Sequence, residues 1–159
     1  MSGIPTEVFE NRCPLVMLER EFRQDSGGPG RYRGGLGHRV VYAGMRLSEP
    51  YRLSPFTDRV RHPAPGLEGG LAGAAGQFEL LDGTALHAKR TIALEPEKQL
   101  VIGLPGGGGI GSPLERDPEA VRQDVLDELV SIEQAREAYG VALTPGGEVD
   151  LAETGRLRS

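Results

Sequence analysis

The chain has 159 residues, of which 24 are glycine and 12 are proline, and it contains no tryptophan. So many helix-breaking residues exclude a long helical bundle, and glycines without a three-residue period exclude a collagen-like triple helix. The formal net charge of −5 gives no strong electrostatic attraction to nucleic acid, although segment 12–61 holds ten arginines against five acidic residues.

Cysteine content and hydropathy bear on the compartment. The single cysteine, Cys13, excludes an internal disulfide and a cysteine-rich zinc site. No stretch approaches the roughly 20 consecutive apolar residues of a membrane-spanning helix. The amino terminus also lacks the basic start and apolar run of a secretion signal. We therefore expect a cytoplasmic protein that contacts neither membrane nor nucleic acid.

Apolar and alternating segments predict strands in the first 113 residues. The segments are 14–23, 38–47, 77–81, 84–94 and 98–104. They are apolar, alternating or rich in β-branched residues, as buried or half-buried strands are. Asp82-Gly83 suits a two-residue turn joining 77–81 to 84–94 as a hairpin. Glycine-rich stretches at 24–37, 66–76 and 105–109 are predicted to be loops.

Beyond Pro113 the pattern becomes helical. Asp117 is a good N-cap for a helix that begins at Pro118, and apolar residues then recur every four positions. Ser131 and Gln134 form a capping-box pattern for a second helix, which Gly140 would end from the C′ position. A short hairpin is predicted to join 141–143 to 148–151.

These elements predict an α+β fold. A β-rich portion with long glycine-rich loops occupies residues 1–113, and a helical portion with two short helices and a small hairpin occupies residues 114–159. We expect the two portions to form one continuous unit.

Two motifs suggest chemistry but lack its other requirements. Asp25-Ser26-Gly27-Gly28-Pro29 resembles the nucleophile loop of chymotrypsin-like proteases, yet no histidine precedes Ser26 in the chain, as that family's order requires. Gly106, Gly108 and Gly111 fit a GxGxxG pattern, but no helix begins there to meet a pyrophosphate. A tight loop is the favoured interpretation of the second motif.

The remaining candidates concern anions and metals. His38, His62 and His87 are spread widely, so no metal site is predicted. The single Arg33-Gly34-Gly35 is not an RNA-binding array. Consecutive glycines with arginines can bind an anion through backbone N–H groups and bidentate donors, or they can allow close backbone packing against another subunit. We favour packing. The substrate or anion-binding candidates are Asp25, Ser26, Gly27, Gly28, Arg31, Arg33, Asp58 and Arg59, and the loop candidates are Gly106, Gly107, Gly108 and Gly109.

Several motifs taken together resemble the carboxy-terminal part of the hydantoinase B/oxoprolinase family. The matching segments are TEVFE (6–10), DSGGPGRYRGGLG (25–37), PGLEGGLAG (65–73), PGGGGIGSPLERDPEAVRQDV (105–125) and SIEQAREAYGV (131–141). They occur in the family's order and reach nearly from end to end. Members include N-methylhydantoinases, ATP-dependent 5-oxoprolinases and the large subunits of acetone and acetophenone carboxylases.

The resemblance implies a division of labour between subunits. A hydantoinase A-type partner with an actin-like kinase fold would bind ATP and Mg²⁺ and phosphorylate the substrate oxygen. Phosphorylation removes amide resonance and creates a better electrophile. The B-type polypeptide would contribute to the chamber where the activated lactam is hydrolysed or a ketone is carboxylated.

Two departures from the family accompany the match. The family's amino-terminal segment, which resembles a divalent-metal site, has no counterpart here, so the catalytic residues stay unassigned. The chain begins where the last third of such a subunit would begin, as a split-gene product or a truncated piece would. Glu128 stands where relatives commonly have glycine between the two helices.

The sequence therefore leaves three functions open. The chain is a subunit or fragment of an ATP-dependent cyclic-amide hydrolase, a non-catalytic assembly module, or part of an ATP-dependent ketone carboxylase. In each case we expect a hetero-oligomer with an A-type ATPase and an amino-terminal B-type segment, and no activity of the chain alone. Neither the substrate, whether hydantoin, oxoproline, another lactam or a ketone, nor the stoichiometry follows from the sequence.

Overall fold

A computed structural model describes residues 5–45 and 47–159. Arg46, in the predicted strand 38–47, lies outside the described residues, as do residues 1–4 of the amino terminus, where no secretion signal is predicted. In chain order the elements are α1 (Thr6–Arg12), β1 (Leu15–Phe22), β2 (His38–Gly44), β3 (Tyr51–Leu53), β4 (Gln77–Leu80), β5 (Ile92–Leu94), β6 (Leu100–Gly103), a 3₁₀ turn (Pro113–Glu115), α2 (Pro118–Leu126), α3 (Ile132–Glu137) and α4 (Leu151–Leu157).

Two antiparallel sheets form the first portion. Four strands pair in the order β1-β2-β6-β4, and β3 pairs with β5 in a second sheet. Leu94 of β5 packs with Phe78, Leu80 and Leu100 of the larger sheet in one buried cluster. Burial of these apolar side chains joins the two sheets.

The helices surround a second apolar cluster. Its buried members are Val121, Val130, Ala135, Tyr139 and Val141. Val121 comes from α2 and Ala135 from α3, so this cluster holds the two helices together. Burial raises the pKa of the Tyr139 phenol to about 12.

The predicted N-caps are confirmed, but Gln134 does not complete the capping box, because Ser131 N donates to Asp25 Oδ1. The Asp117 side chain accepts a hydrogen bond from Glu119 N at the start of α2, and Ser131 Oγ accepts from Gln134 N at 3.0 Å at the start of α3. Gly140 follows α3 with a positive φ of 61°. The α+β class, with its β-rich body, glycine-rich loops and carboxy-terminal helices, is confirmed.

The predicted hairpin 77–81/84–94 is wrong in its second strand. The turn at Asp82-Gly83 forms, and Ala85 bridges to Glu79 on the outer edge of β4, but the pairing ends at Leu86, whose N donates to Phe78 O. Segment 84–94 becomes regular only at β5, which pairs with β3. The charged residues in between leave the sheet and form a loop.

The small carboxy-terminal hairpin forms, but it is shorter than predicted. Leu143 and Val149 make an antiparallel bridge, with Thr144 N donating to Glu148 O and Asp150 N donating to Ala142 O, and the residues after Asp150 form α4. Asp150 caps this helix by accepting from Glu153 N at 2.9 Å. Neither α1 nor the short strand β3 was predicted from the sequence.

Candidate functional site: the glycine-loop cluster

The register of the four-stranded sheet brings three glycine-rich loops to one of its ends. Phe22 pairs with His38, and Gly103 pairs with both Arg39 and Gln77. The first loop (24–37), the second loop (63–76) and the third loop (104–112) therefore leave or enter the sheet at this end. We call the three loops together the glycine-loop cluster.

Backbone hydrogen bonds hold the cluster, with the third loop between the other two. Gly28 N of the first loop donates to Gly107 O at 2.8 Å, and Gly109 N donates to Leu71 O of the second loop at 2.9 Å. The loops thus satisfy one another's backbone donors and acceptors, as segments of a buried structure must.

Close approach explains the glycines of the third loop. A Cβ atom at Gly106 would overlap Ser26 O, and one at Gly109 would overlap Pro29 O. Neither glycine has a positive φ, so the requirement is space and not backbone conformation. Glycine therefore allows the loop backbones to touch.

The four glycines predicted as loop candidates belong to this packed loop. All four lie in the third loop: Gly106, Gly107, Gly108 and Gly109. The amides of Gly106, Gly107 and Gly109 each donate to a backbone carbonyl of another loop. An anion cradle uses such amides as free donors, so the arrangement favours close packing. The packing partner is the chain's own backbone.

The Ser26 hydroxyl is fixed inside the cluster. Its side chain is buried, with 1% of the residue exposed. Oγ donates to Arg23 O at 2.6 Å and accepts from Gly37 N at 2.9 Å, while Ser26 O accepts from Ala74 N. In this arrangement the hydroxyl closes the base of the first loop. Gly27 and Gly28 beside it are also buried.

Asp25 joins the first loop to the helical portion. Its Oδ1 accepts from Ser131 N at 2.7 Å, and its backbone N donates to Leu129 O at 3.1 Å. Asp25 has a positive φ of 59°, a conformation that aspartate tolerates better than most residues. The carboxylate thus holds the linker between α2 and α3 against the cluster.

Arg33 makes a second connection through a buried carboxylate. Its Nε and one terminal nitrogen both contact Asp124 of α2 at 3.2 Å, and Arg116 reaches the same carboxylate at 2.8 Å. Bidentate arginine–carboxylate pairs are strong and directional. Neither Asp124 nor Arg116 was predicted from the sequence as a site residue, since Arg33 and Asp124 lie 91 positions apart.

Arg31 is the exposed arginine of the first loop. Its guanidinium lies 5.8 Å from the centroid of the Tyr32 ring and 3.9 Å from Glu115. Its side chain is 57% exposed, so that ion pair is weak. Of the two predicted arginines in this loop, Arg31 is the one accessible to an outside molecule.

Asp58 and Arg59 lie outside the cluster, in a cleft beside the second loop. Arg59 O accepts from Gly76 N at 3.0 Å, and the Asp58 carboxylate accepts from Lys89 Nζ at 2.7 Å. This hydrogen bond lowers the pKa of Asp58 below its usual value. The structure therefore separates the eight anion-binding candidates into two places.

The part of the chain that the structure describes contains neither a metal-binding cluster nor a membrane-spanning helix. Across residues 5–45 and 47–159, no group of three histidine, cysteine, aspartate or glutamate side chains is placed to hold a metal ion. No helix in that part of the chain is long and apolar enough to cross a membrane.

The sequence of the chain matches a known protein family. A family model described as hydantoinase B/oxoprolinase matches residues 1–113. An uncharacterized protein of Methanocaldococcus jannaschii is 41% identical over 160 residues, which cover 97% of this chain and 28% of that protein. The putative B-type subunit of a D-/L-hydantoinase from a Pseudomonas species is 30% identical, over 97% of this chain and 26% of the relative.

A solved structure has the same fold over almost the whole chain. The ATP-dependent caprolactamase of Pseudomonas jessenii aligns with a TM-score of 0.81 at 28% identity, over 99% of this chain and 28% of that one. The chain thus spans about a quarter of the length of each of these three proteins.

Proposed function

The chain belongs to the hydantoinase B/oxoprolinase family, and from that premise we propose that it forms the glycine-loop portion of a cyclic-amide hydrolase that depends on ATP. It would work beside an amino-terminal B-type segment and an A-type ATPase. The observation that carries this proposal is the match of 97% of the chain to a continuous part of a hydantoinase B-type polypeptide.

The glycine-loop cluster supports a structural role in such an enzyme. Its glycines contact backbone atoms of neighbouring loops, and Ser26, Asp25 and Arg33 direct their side chains to partners within the chain. A rigid scaffold of this kind can position residues of a neighbouring segment. We infer that the reacting groups come from outside this chain.

An exposed apolar face on the cluster supports docking. Tyr32 and Leu67 each form a bridge with Ile110, which places the three residues side by side. Their exposed fractions are 64%, 60% and 42%. Adjacent exposed apolar side chains mark interaction surfaces. We call these three residues the loop face and propose that the amino-terminal B-type segment covers it.

The chemistry proposed for the assembly follows from amide reactivity. The A-type partner would hold ATP and Mg²⁺ and activate the lactam oxygen by phosphorylation, and a divalent metal would belong to the amino-terminal B-type segment. An amide with a phosphorylated oxygen loses its resonance and accepts water more readily. The chain described here would keep the chamber closed and its walls in place.

Native mass spectrometry of the chain, purified gently from its own host, is the direct test. We expect a complex that contains a larger B-type polypeptide and an A-type ATPase. A lone species of 17.0 kDa under the same conditions would contradict the proposal.

Turnover of the recovered complex tests the reaction. ATP hydrolysis should depend on an added cyclic amide, with hydantoin, 5-oxoproline and caprolactam as the probes, and it should fall when the chain is omitted. Unchanged turnover without the chain would instead identify a non-catalytic assembly module. Turnover that requires bicarbonate and a ketone would identify a carboxylase.

A further inference from the structure

A depression in the surface lies outside the glycine-loop cluster, between segments 57–62 and 86–89. Its volume is about 600 Å³, within the roughly 300–1,000 Å³ of small-molecule sites. Two hydrogen bonds join its two walls. Thr57 N and Thr57 Oγ1 both donate to Ala88 O, at 3.3 and 3.0 Å. We call it the basic cleft.

The charged residues that line the basic cleft are mostly positive. Arg59, Arg61 and Lys89 line it, and the carboxylate among the lining residues, Asp58, is bonded to Lys89. Within residues 5–45 and 47–159, neither Arg59 nor Arg61 forms a salt bridge. The chain as a whole is negative, at −5, so this excess is local. Unpaired arginines offer bidentate donors to oxyanions.

Two histidines add to the donor set. His62 and His87 line the same cleft. The Lys89 backbone N donates to His87 Nδ1 at 3.2 Å, so the proton of a neutral His87 lies on Nε2, which is left as a donor. Val60 and Leu86 supply apolar lining.

Backbone strain lies within this cleft. Arg59 has a positive φ of 55°, a conformation that is unfavourable for a residue other than glycine. The hydrogen bond from Gly76 N to Arg59 O contributes to holding it. Such strain occurs more often at binding and catalytic sites than elsewhere.

We propose that the basic cleft binds the oxyanion of a small organic molecule, a phosphate or a carboxylate. Arg59 and Arg61 contact the anionic oxygens, His87 Nε2 donates a further hydrogen bond, and Val60 and Leu86 contact the apolar part. This inference concerns binding by the chain itself and does not depend on the proposed enzyme assembly.

The test is a titration of the ¹⁵N-labelled chain followed by amide NMR shifts. Inorganic phosphate, phenyl phosphate and benzoate are added separately, with sodium chloride keeping the ionic strength constant. Saturable shifts are expected at residues 57–62 and 86–89. The phosphate and benzoate titrations show which oxyanion is preferred, and phenyl phosphate shows whether the apolar lining adds affinity.

Matched double variants decide whether the cleft arginines are responsible. Arg59→Gln/Arg61→Gln should weaken binding at least about tenfold, as expected for lost charge-assisted hydrogen bonds. Arg20→Gln/Arg52→Gln removes two exposed charges elsewhere and should leave affinity within about twofold. Arg61→Gln alone, at an exposed position, serves if the double variant loses dispersed amide signals. Shifts that do not saturate, or equal weakening in both double variants, would overturn the proposal.

Discussion

Backbone conformation at single positions costs this chain stability. Glu128, between α2 and α3, has a positive φ of 57°, and its side chain is exposed. Its N–H donates to Val125 O at 3.1 Å, a contact that glycine would keep. A left-handed conformation costs a non-glycine L-residue about 1–2 kcal/mol, whereas glycine adopts it freely.

Replacing Glu128 with glycine should therefore stabilise the chain by about 1 kcal/mol, after the larger entropy of an unfolded glycine is subtracted. Urea unfolding followed by circular dichroism measures the difference. Glu133→Gly, within α3, is the matched control, and it should destabilise by about 1 kcal/mol because its backbone is helical. Destabilisation by both substitutions would contradict this account of Glu128.

A buried carboxylate, that of Asp124, joins the β-rich portion of the chain to the helical portion. Asp124 is 8% exposed and receives hydrogen bonds from Arg33 and Arg116. Removing its charge leaves two guanidinium groups facing a neutral group, and breaking a buried pair costs about 3–5 kcal/mol.

Asp124→Asn should accordingly lower the free energy of unfolding by about 3 kcal/mol. Asp127→Asn, an exposed neighbour on the same stretch, should change it by less than about 0.5 kcal/mol. The two variants are compared by their urea midpoints at equal m-value. A loss below about 1 kcal/mol for Asp124→Asn would show that the charge pairs contribute little.

At the scale of elements, the glycine loops behave as a packed layer. The third loop has backbone neighbours on both sides, so a methyl group at Gly106, Gly108 or Gly109 must displace a main chain. Gly35 in the first loop has no atom within 4 Å of a built Cβ and no positive φ. The same substitution thus meets opposite surroundings within one cluster.

Gly106→Ala should destabilise the chain by at least about 1–3 kcal/mol, because its Cβ would overlap Ser26 O. Gly35→Ala should be neutral or stabilise it by up to about 1 kcal/mol. Thermal unfolding of both variants measures the difference. Equal midpoints would mean that the loops can move apart at no cost.

The strands and caps were predictable from the sequence, and the contacts between loops were not. Local signals at Asp117 and Ser131 predict helix starts, and apolar runs predict β1, β2 and β6. Asp150, followed three residues later by Glu153, was an equally local signal for the start of α4. This helix was not predicted because its seven residues are too few to show a clear apolar period. The hydrogen bond between Gly28 and Gly107 depends on sheet register, which no single segment encodes.

The candidate site shows the same limit. The glycines of the first loop indicated close packing, but the chain's own second and third loops, against which Gly28 and Gly34 lie, are far away in sequence. Arg33 was visible as a candidate, whereas its partner Asp124 looked like an ordinary polar position on α2. Pairing across 91 residues follows from the fold and not from composition.

At the scale of the whole molecule, the loop face is the feature that the proposed assembly must cover. Leu67 and Ile110 are exposed in this chain, and full burial of an aliphatic side chain contributes about 1.5–3 kcal/mol. Their backbone atoms, not their side chains, form the bridge that joins them. Substitution can therefore change the surface while the cluster keeps its hydrogen bonds.

Leu67→Glu/Ile110→Glu should weaken binding to the amino-terminal B-type segment at least about tenfold, because two charges would have to be buried without partners. Leu81→Glu/Leu151→Glu is the matched control, since both residues are exposed, at 50% and 78%, outside the loops. Titration calorimetry with the purified segment measures both affinities, and circular dichroism verifies that each variant is folded. Because the control carries the same added charge, equal affinities for the two variants would show that the segment binds elsewhere on the chain.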